Sequence, residues 1–272
     1  MNAVLTTHRP AIAVHRGTAH GAVVENTVGA VTAALRSGTD MVEIDVVEST
    51  DGDYFVFHDG YEAVHFGTAW PLPKLSTAEI ESLEYGARVA HPRVKVERLD
   101  DMLRSFPGVL FNIDRSWHYW PRLLAWLDQF DITDQLILKA PVQPQALGHL
   151  RSHPIKYPLL AIVRSPDDLD TVRTHPGINL VGAELVAKDP SHPFCDAAWI
   201  QQEVRDRGLF AYVNALDLGH GVPLMANWDD TVSVTGDPDE GWGRLVALGA
   251  DVIQTDWPSL LRDYLREAGA WS

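Results

Sequence analysis

Short apolar runs alternate with amphipathic stretches along nearly the whole chain, and this alternation most restricts the fold. Runs of strand length lie at Ala11–His15, Met41–Val46, Val109–Ile113, Leu136–Lys139, Leu159–Val163, Asn179–Ala183, Phe210–Asn214 and Val252–Thr255. Helix-like segments separate most of them, such as Thr27–Arg36, Tyr119–Phe130, Gln143–Arg151, Pro166–Thr174, Ala197–Arg207 and Gly243–Leu248. Strands joined by helical crossovers of one hand build a parallel sheet. A further run, Tyr54–Phe57, follows Met41–Val46 across the turn signal Asp51-Gly52 and reads as a hairpin partner, not as a stave. That leaves eight staves. With 272 residues, 46% of them hydrophobic, the chain suits one (β/α)8 TIM barrel spanning residues 1–272.

Two segments break the rhythm. Asp59–Val96 follows the hairpin and is rich in Gly, Pro and aromatics; it is expected as a small insertion at 59–96. Gly219–Glu240 is similar in composition. Loops of this length in a compact domain commonly carry function, and in a barrel the loops after strands form the catalytic face.

Composition excludes several classes of function. A net charge of −15 argues against a nucleic-acid partner and against docking on an anionic membrane by charge alone. The single cysteine, Cys195, can form no intramolecular disulfide and no zinc finger. No run approaches a membrane span, so no stable membrane insertion is expected. Met1–Pro10 lacks an apolar signal region, and a cytoplasmic location is the default expectation, with a secreted mature form as the alternative. The sequence is silent on oligomeric state.

The chemistry concentrates at strand ends. Glu43 and Asp45 stand two apart in a strand and share one face. Inside a barrel they need a cation or strong hydrogen-bond donors, and hard oxygen ligands suit Mg2+ or Ca2+. Asp114 closes the Val109–Ile113 strand and is a third candidate ligand. His15 and His58 end their strands beside the acidic pair and are candidates for a general acid and a general base. Lys139 ends its own strand as a point charge for a phosphate. Asn214 occupies the same place on a later strand, and Trp257 follows the last one; both are candidate substrate contacts. Asp59 either orients a histidine or closes its own loop.

These residues sit in linked motifs. His15-Arg16-Gly17, Glu25-Asn26-Thr27, Gly38-Thr39-Asp40-Met41-Val42-Glu43-Ile44-Asp45-Val46, Thr50-Asp51-Gly52 and His58-Asp59 occur in order. Near the other end stands Gly249-Ala250-Asp251-Val252-Ile253-Gln254-Thr255-Asp256-Trp257-Pro258. The set resembles the glycerophosphodiester phosphodiesterase family. The resemblance implies a metal-dependent phosphoric diester hydrolase of lipid metabolism, acting on a small-molecule glycerophosphodiester and releasing glycerol phosphate and an alcohol. It implies that His15 and His58 are the acid–base pair, that Glu43, Asp45 and Asp114 hold one divalent cation, Mg2+ or Ca2+, and that Arg16 contacts the phosphate. The family's N-I-E-x-K appears here as Asn112-Ile113-Asp114-Arg115-Ser116, so a serine replaces the motif's lysine. Lys139 or Arg115 is expected to compensate. Other readings are a phospholipase D-like barrel that forms a cyclic phosphate, a non-catalytic phosphodiester-binding barrel, and a sugar-processing barrel with paired carboxylates.

Overall fold

A computed structural model describes residues 9–17, 20–67, 69–86, 93–219 and 221–270. Parts of the N-terminal stretch (1–8) and of the expected insertion (68 and 87–92) lie outside the described residues. Ten strands form one sheet: β1 (Ala11–Val14), β2 (Met41–Glu48), β3 (Tyr54–Val56), β4 (Glu97–Arg98), β5 (Phe111–Asp114), β6 (Leu136–Pro141), β7 (Pro158–Val163), β8 (Asn179–Leu185), β9 (Phe210–Asn214) and β10 (Val252–Thr255). The parallel strands run in the order β1-β10-β9-β8-β7-β6-β5-β2, and β1 also pairs with β2, which closes the barrel. Helices between the strands cover its outside, as the alternation predicts.

The hairpin reading holds: β3 is antiparallel to β2, pairing Val46 with Val56 and Glu48 with Tyr54. That pairing carries β2 two residues past the predicted end at Val46. The first strand instead stops at Val14, because His15–Gly17 form a tight 3-10 turn with Arg16 at φ 51. Gly17 is required there. Its φ is +73, and a Cβ would lie 3.0 Å from the Val31 nitrogen.

The strand period sorts side chains into two layers. Ile12, Val14, Val42, Ile44, Ile113, Leu138 and Val213 face outward and pack beneath the helices. Ala11, Ala13, Met41, Ile137, Leu160, Tyr212 and Val252 fill the barrel interior. Higher on the inward faces the residues turn polar, with Glu43, Asp45, Asn112, Lys139, Glu184, Asn214 and Gln254 all buried. The apolar layer is a floor, and the polar layer above it forms the mouth.

The described part of 59–96 is built into more than a plain loop. It holds the short helices Glu62–Phe66 and Thr77–Ser82 around a small core of Val47, Phe55, Phe57, Leu72, Ile80 and Tyr85. Buried Glu62 ties it together by accepting the backbone N–H groups of Gly60 at 2.7 Å and Leu72 at 2.9 Å. The second long loop likewise contains a helix, Asp230–Thr235, that the sequence reading did not single out.

Candidate active site

The strand registers bring the acidic residues together. Glu43 lies beside Asn112, and Asp45 beside Asp114, across the β2–β5 pair. Carboxylate oxygens of Glu43, Asp45 and Asp114 lie within 4.8 Å of one another. Glu43 and Asp45 are almost wholly inaccessible, at 1% and 2% exposure. Burial, reinforced by the Asp45 charge, pushes the Glu43 carboxyl up to about 8. Such a cluster resists holding its full negative charge and gains from a cation among its oxygens, so the donor set fits a hard divalent ion.

The Glu25-Asn26-Thr27 segment explains how this cluster is held. Asn26 is buried with φ 57; its Nδ2 donates to Asp45 Oδ2 at 3.0 Å, and its Oδ1 accepts the Asp45 backbone N–H at 3.1 Å. Thr27 caps the helix Val28–Arg36 by accepting the Ala30 N–H. Glu25 accepts from Arg16 Nη1 at 2.7 Å. The buried Arg16 guanidinium also pairs with Asp45 at 3.3 Å and lies over the Tyr61 ring, 4.5 Å from its centroid. Its backbone N–H donates to Glu43 Oε2 at 2.8 Å. The motif residues Glu25 and Asn26 thus have structural roles that their spacing alone did not assign.

The two histidines meet the cluster differently. His15 Nδ1 lies 2.9 Å from Asp256 Oδ1, a contact between residues 241 apart in sequence. Burial alone would lower the His15 pKa, but the Asp256 hydrogen bond and the Asp256 and Glu43 charges outweigh it and raise the pKa above 6.5. His58 Nδ1 donates to the backbone carbonyl of Asp59 at 2.8 Å. Burial lowers the His58 pKa; the Asp45 charge opposes this and the Arg16 and Arg115 charges add to it, leaving it below 6.5. Each ring therefore commits its Nδ1 to an anchor.

Lys139 lies in the cluster with its ammonium enclosed. Its Nζ is 2.5 Å from Asp114 Oδ2 and 3.1 Å from Glu184 Oε2. Burial opposes its charge, but these carboxylates outweigh burial and hold it firmly protonated. Ser116 is fully buried and accepts the Trp120 indole N–H at 3.0 Å, so it faces away from the mouth. Arg115 takes φ 51 and sends its side chain to the rim, where Nε donates to Asp59 Oδ1 at 2.6 Å. The Asp59 carboxylate thus holds an arginine, while its backbone carbonyl holds His58.

Asn214 is buried at the C-terminal, mouth end of β9, and its Oδ1 has no hydrogen-bond partner among the described residues. Trp257 is 38% exposed and packs its ring against His20, with centroids 4.4 Å apart. Beside the cluster opens a cavity of about 330 Å3, whose lining includes His15, Arg16, Tyr61, Asp217, Asp256 and Trp257. Among the described residues, no helix is long and apolar enough to cross a membrane.

Comparisons with known proteins agree with this geometry. Residues 15–185, more than half of the chain, match the model of the glycerophosphoryl diester phosphodiesterase family. Residues 161–265 also match a model described as a domain of unknown function. No curated protein matched the chain. Among solved structures, a glycerophosphoryl diester phosphodiesterase from Parabacteroides distasonis superposes with a TM-score of 0.77 at 14% identity, covering 98% of this chain and 92% of that one. An Oleispira antarctica phosphodiesterase, solved in complex with the product sn-glycerol-3-phosphate, gives 0.70 at 17% identity, with 95% and 97% covered. A glycerophosphodiester phosphodiesterase from Agrobacterium tumefaciens gives 0.65 at 21% identity, with 92% and 98% covered. These likenesses carry the fold.

Proposed function

The chain belongs to the glycerophosphoryl diester phosphodiesterase family, and from that premise we propose that it hydrolyses a glycerophosphodiester to glycerol phosphate and an alcohol by acid–base catalysis between His58 and His15. The observation that carries this reading is the cluster of Glu43, Asp45 and Asp114 beside two histidines with opposite proton tendencies. The product class matches the ligand of the Oleispira antarctica structure.

Glu43, Asp45 and Asp114 would hold one divalent cation. When bound, it supplies Lewis-acid charge for the phosphoryl group and a template for the substrate. His58, its proton affinity lowered by burial, accepts at Nε2 the proton of the attacking water, or of a vicinal glycerol hydroxyl whose cyclic phosphate water then opens to glycerol phosphate. His15, whose charge Asp256 favours, gives its Nε2 proton to the leaving alkoxide. Arg16 contacts the phosphate from the cavity wall, and Trp257 and Asn214 contact the rest of the substrate. Arg115 is better placed than Lys139 to replace the motif's lysine, because the Lys139 ammonium is engaged by two carboxylates. The segment 59–96 is proposed as an inserted part of a single domain.

The test is release of glycerol phosphate from glycerophosphocholine, with EDTA and with Mg2+ or Ca2+ restored. Turnover that EDTA abolishes and either ion restores is the expected result. Turnover indifferent to EDTA removes the cation from the proposal, and a cyclic phosphate as the final product in 31P NMR replaces hydrolysis with cyclisation.

A further inference from the structure

The loop between β9 and β10 carries a buried carboxylate that the proposed chemistry leaves unused. Asp230 is 3% exposed and begins the helix Asp230–Thr235. Its Oδ1 accepts the Trp242 indole N–H and the Thr255 hydroxyl, each at 2.7 Å. Its Oδ2 accepts the backbone N–H of Asp256, also at 2.7 Å. Thr255 Oγ1 in turn accepts the backbone N–H of Trp257 at 2.8 Å. The Asp230 backbone N–H donates to the Ala215 carbonyl at 2.6 Å, which anchors the residue just past β9. One side chain therefore fixes the peptide geometry of the turn whose next carboxylate meets His15.

The surrounding structure is built around this placement. Trp242 lies in a π-helical turn, Asp239–Gly243, a rare conformation that recurs at functional sites. Its backbone N–H donates to Ser233 Oγ at 2.9 Å. Gly241 packs so closely that a Cβ there would stand 2.0 Å from the same oxygen. An apolar side chain in place of Asp230 would avoid the cost of burying a carboxylate, so packing alone gives no reason for an acid here. Three convergent donors give one: they hold the turn at a fixed distance and angle.

We propose that Asp230 is a positioning residue for His15. It holds the Thr255–Asp256 turn so that the Asp256 carboxylate keeps the His15 imidazole in one orientation and one tautomer. The proposal rests on the reading of His15 as the acid. Asp230 itself acts only through Asp256.

The test is a double-mutant cycle on glycerophosphocholine turnover with the parent, Asp230→Asn, His15→Ala and the double variant. Asparagine keeps the size but turns an amide N–H2 toward one of the donors, so the turn loses a bond. Asp230→Asn is expected to lower kcat about tenfold with KM within about twofold, and to cost nothing further in the His15→Ala background. Equal losses in both backgrounds would overturn the proposal. Parent-like turnover of His15→Ala would remove its premise, and that outcome is read without reference to Asp230. Should Asp230→Asn fail to fold, Trp242→Phe deletes one donor and keeps most of the ring volume, and serves the same cycle. The imidazole Nδ1–H resonance of His15 gives a reading that needs no substrate. It is expected to broaden or shift in either variant while backbone amides elsewhere keep their positions; an unchanged resonance overturns the proposal.

Discussion

His15 and His58 stand beside the same acidic cluster and are anchored in different ways. His58 is held by the carbonyl of the very next residue, Asp59, on the rim of the inserted segment. His15 is held by a carboxylate that follows β10, 241 residues along the chain but next to β1 in the barrel. A neutral carbonyl fixes the ring and favours its charge only weakly, and burial together with the nearby arginines outweighs it. A carboxylate fixes the ring and favours the imidazolium. One residue type thus acquires two opposite proton tendencies from its surroundings, and the expected division of labour follows from them.

The largest test of this contrast is removal of either ring. His15→Ala and His58→Ala are each expected to lower kcat by at least about 100-fold, measured by glycerol phosphate release. Near-parent turnover in both would dissolve the pairing. The intact enzyme should show a bell-shaped pH profile. Its acid limb lies below 6.5, where His58 takes up a proton, and its alkaline limb above 6.5, where His15 loses one.

Asp256→Asn comes next. It keeps the hydrogen-bonding shape and removes the charge, so the His15 pKa falls and the alkaline limb moves to lower pH. The expected loss in kcat at pH 7.5 is about tenfold. An alkaline limb that stays in place would show that another group provides the acid.

Arg115→Ala probes the other ring. Losing this cation raises the His58 pKa and moves the acid limb to higher pH, the opposite limb from Asp256→Asn. A few-fold rise in KM should accompany the shift if Arg115 also meets the phosphate, each twofold being about 0.4 kcal/mol. A KM unchanged from the parent would return that role to Lys139 or to Arg16 alone.

A last effect leaves turnover aside and concerns stability. Burial opposes ionisation of Glu25, yet His65 and Arg16 outweigh it and take its pKa from 4.5 to about 2. A carboxylate with a depressed native pKa stabilises the fold above its unfolded value and loses that contribution as pH falls through the native one. Glu25→Gln should therefore cost on the order of 2–3 kcal/mol at pH 7, with the difference from the parent closing between pH 4.5 and about 2 in urea titrations. A difference independent of pH would point to packing instead of charge.

The same contrast marks how far the sequence can be read. The staves were legible because strand and helix periods differ, and Glu43 and Asp45 were legible because alternation puts them on one face. His58 was legible because the hairpin that presents it is local. The partners of Lys139 were hidden: Glu184 reaches it only through the order of strands around the barrel. Asp256 stood in a recognisable motif, yet nothing in its spacing pointed to His15; that contact needs β1 and β10 to pair. The partner of Ser116 was hidden too: Arg115 takes a positive φ after β5, and the Ser116 hydroxyl accepts the Trp120 indole N–H.

Barrel closure also sets an order of events in time. The pairing of Val14 with Thr255 seats the last stave against the first and places Asp256 next to His15. A ribosome delivers the histidine long before the carboxylate that supports its charge. Until the final stave docks, the His15 imidazole lacks the carboxylate that supports its charge, so the proposed acid–base pair is completed in the same step as the cylinder.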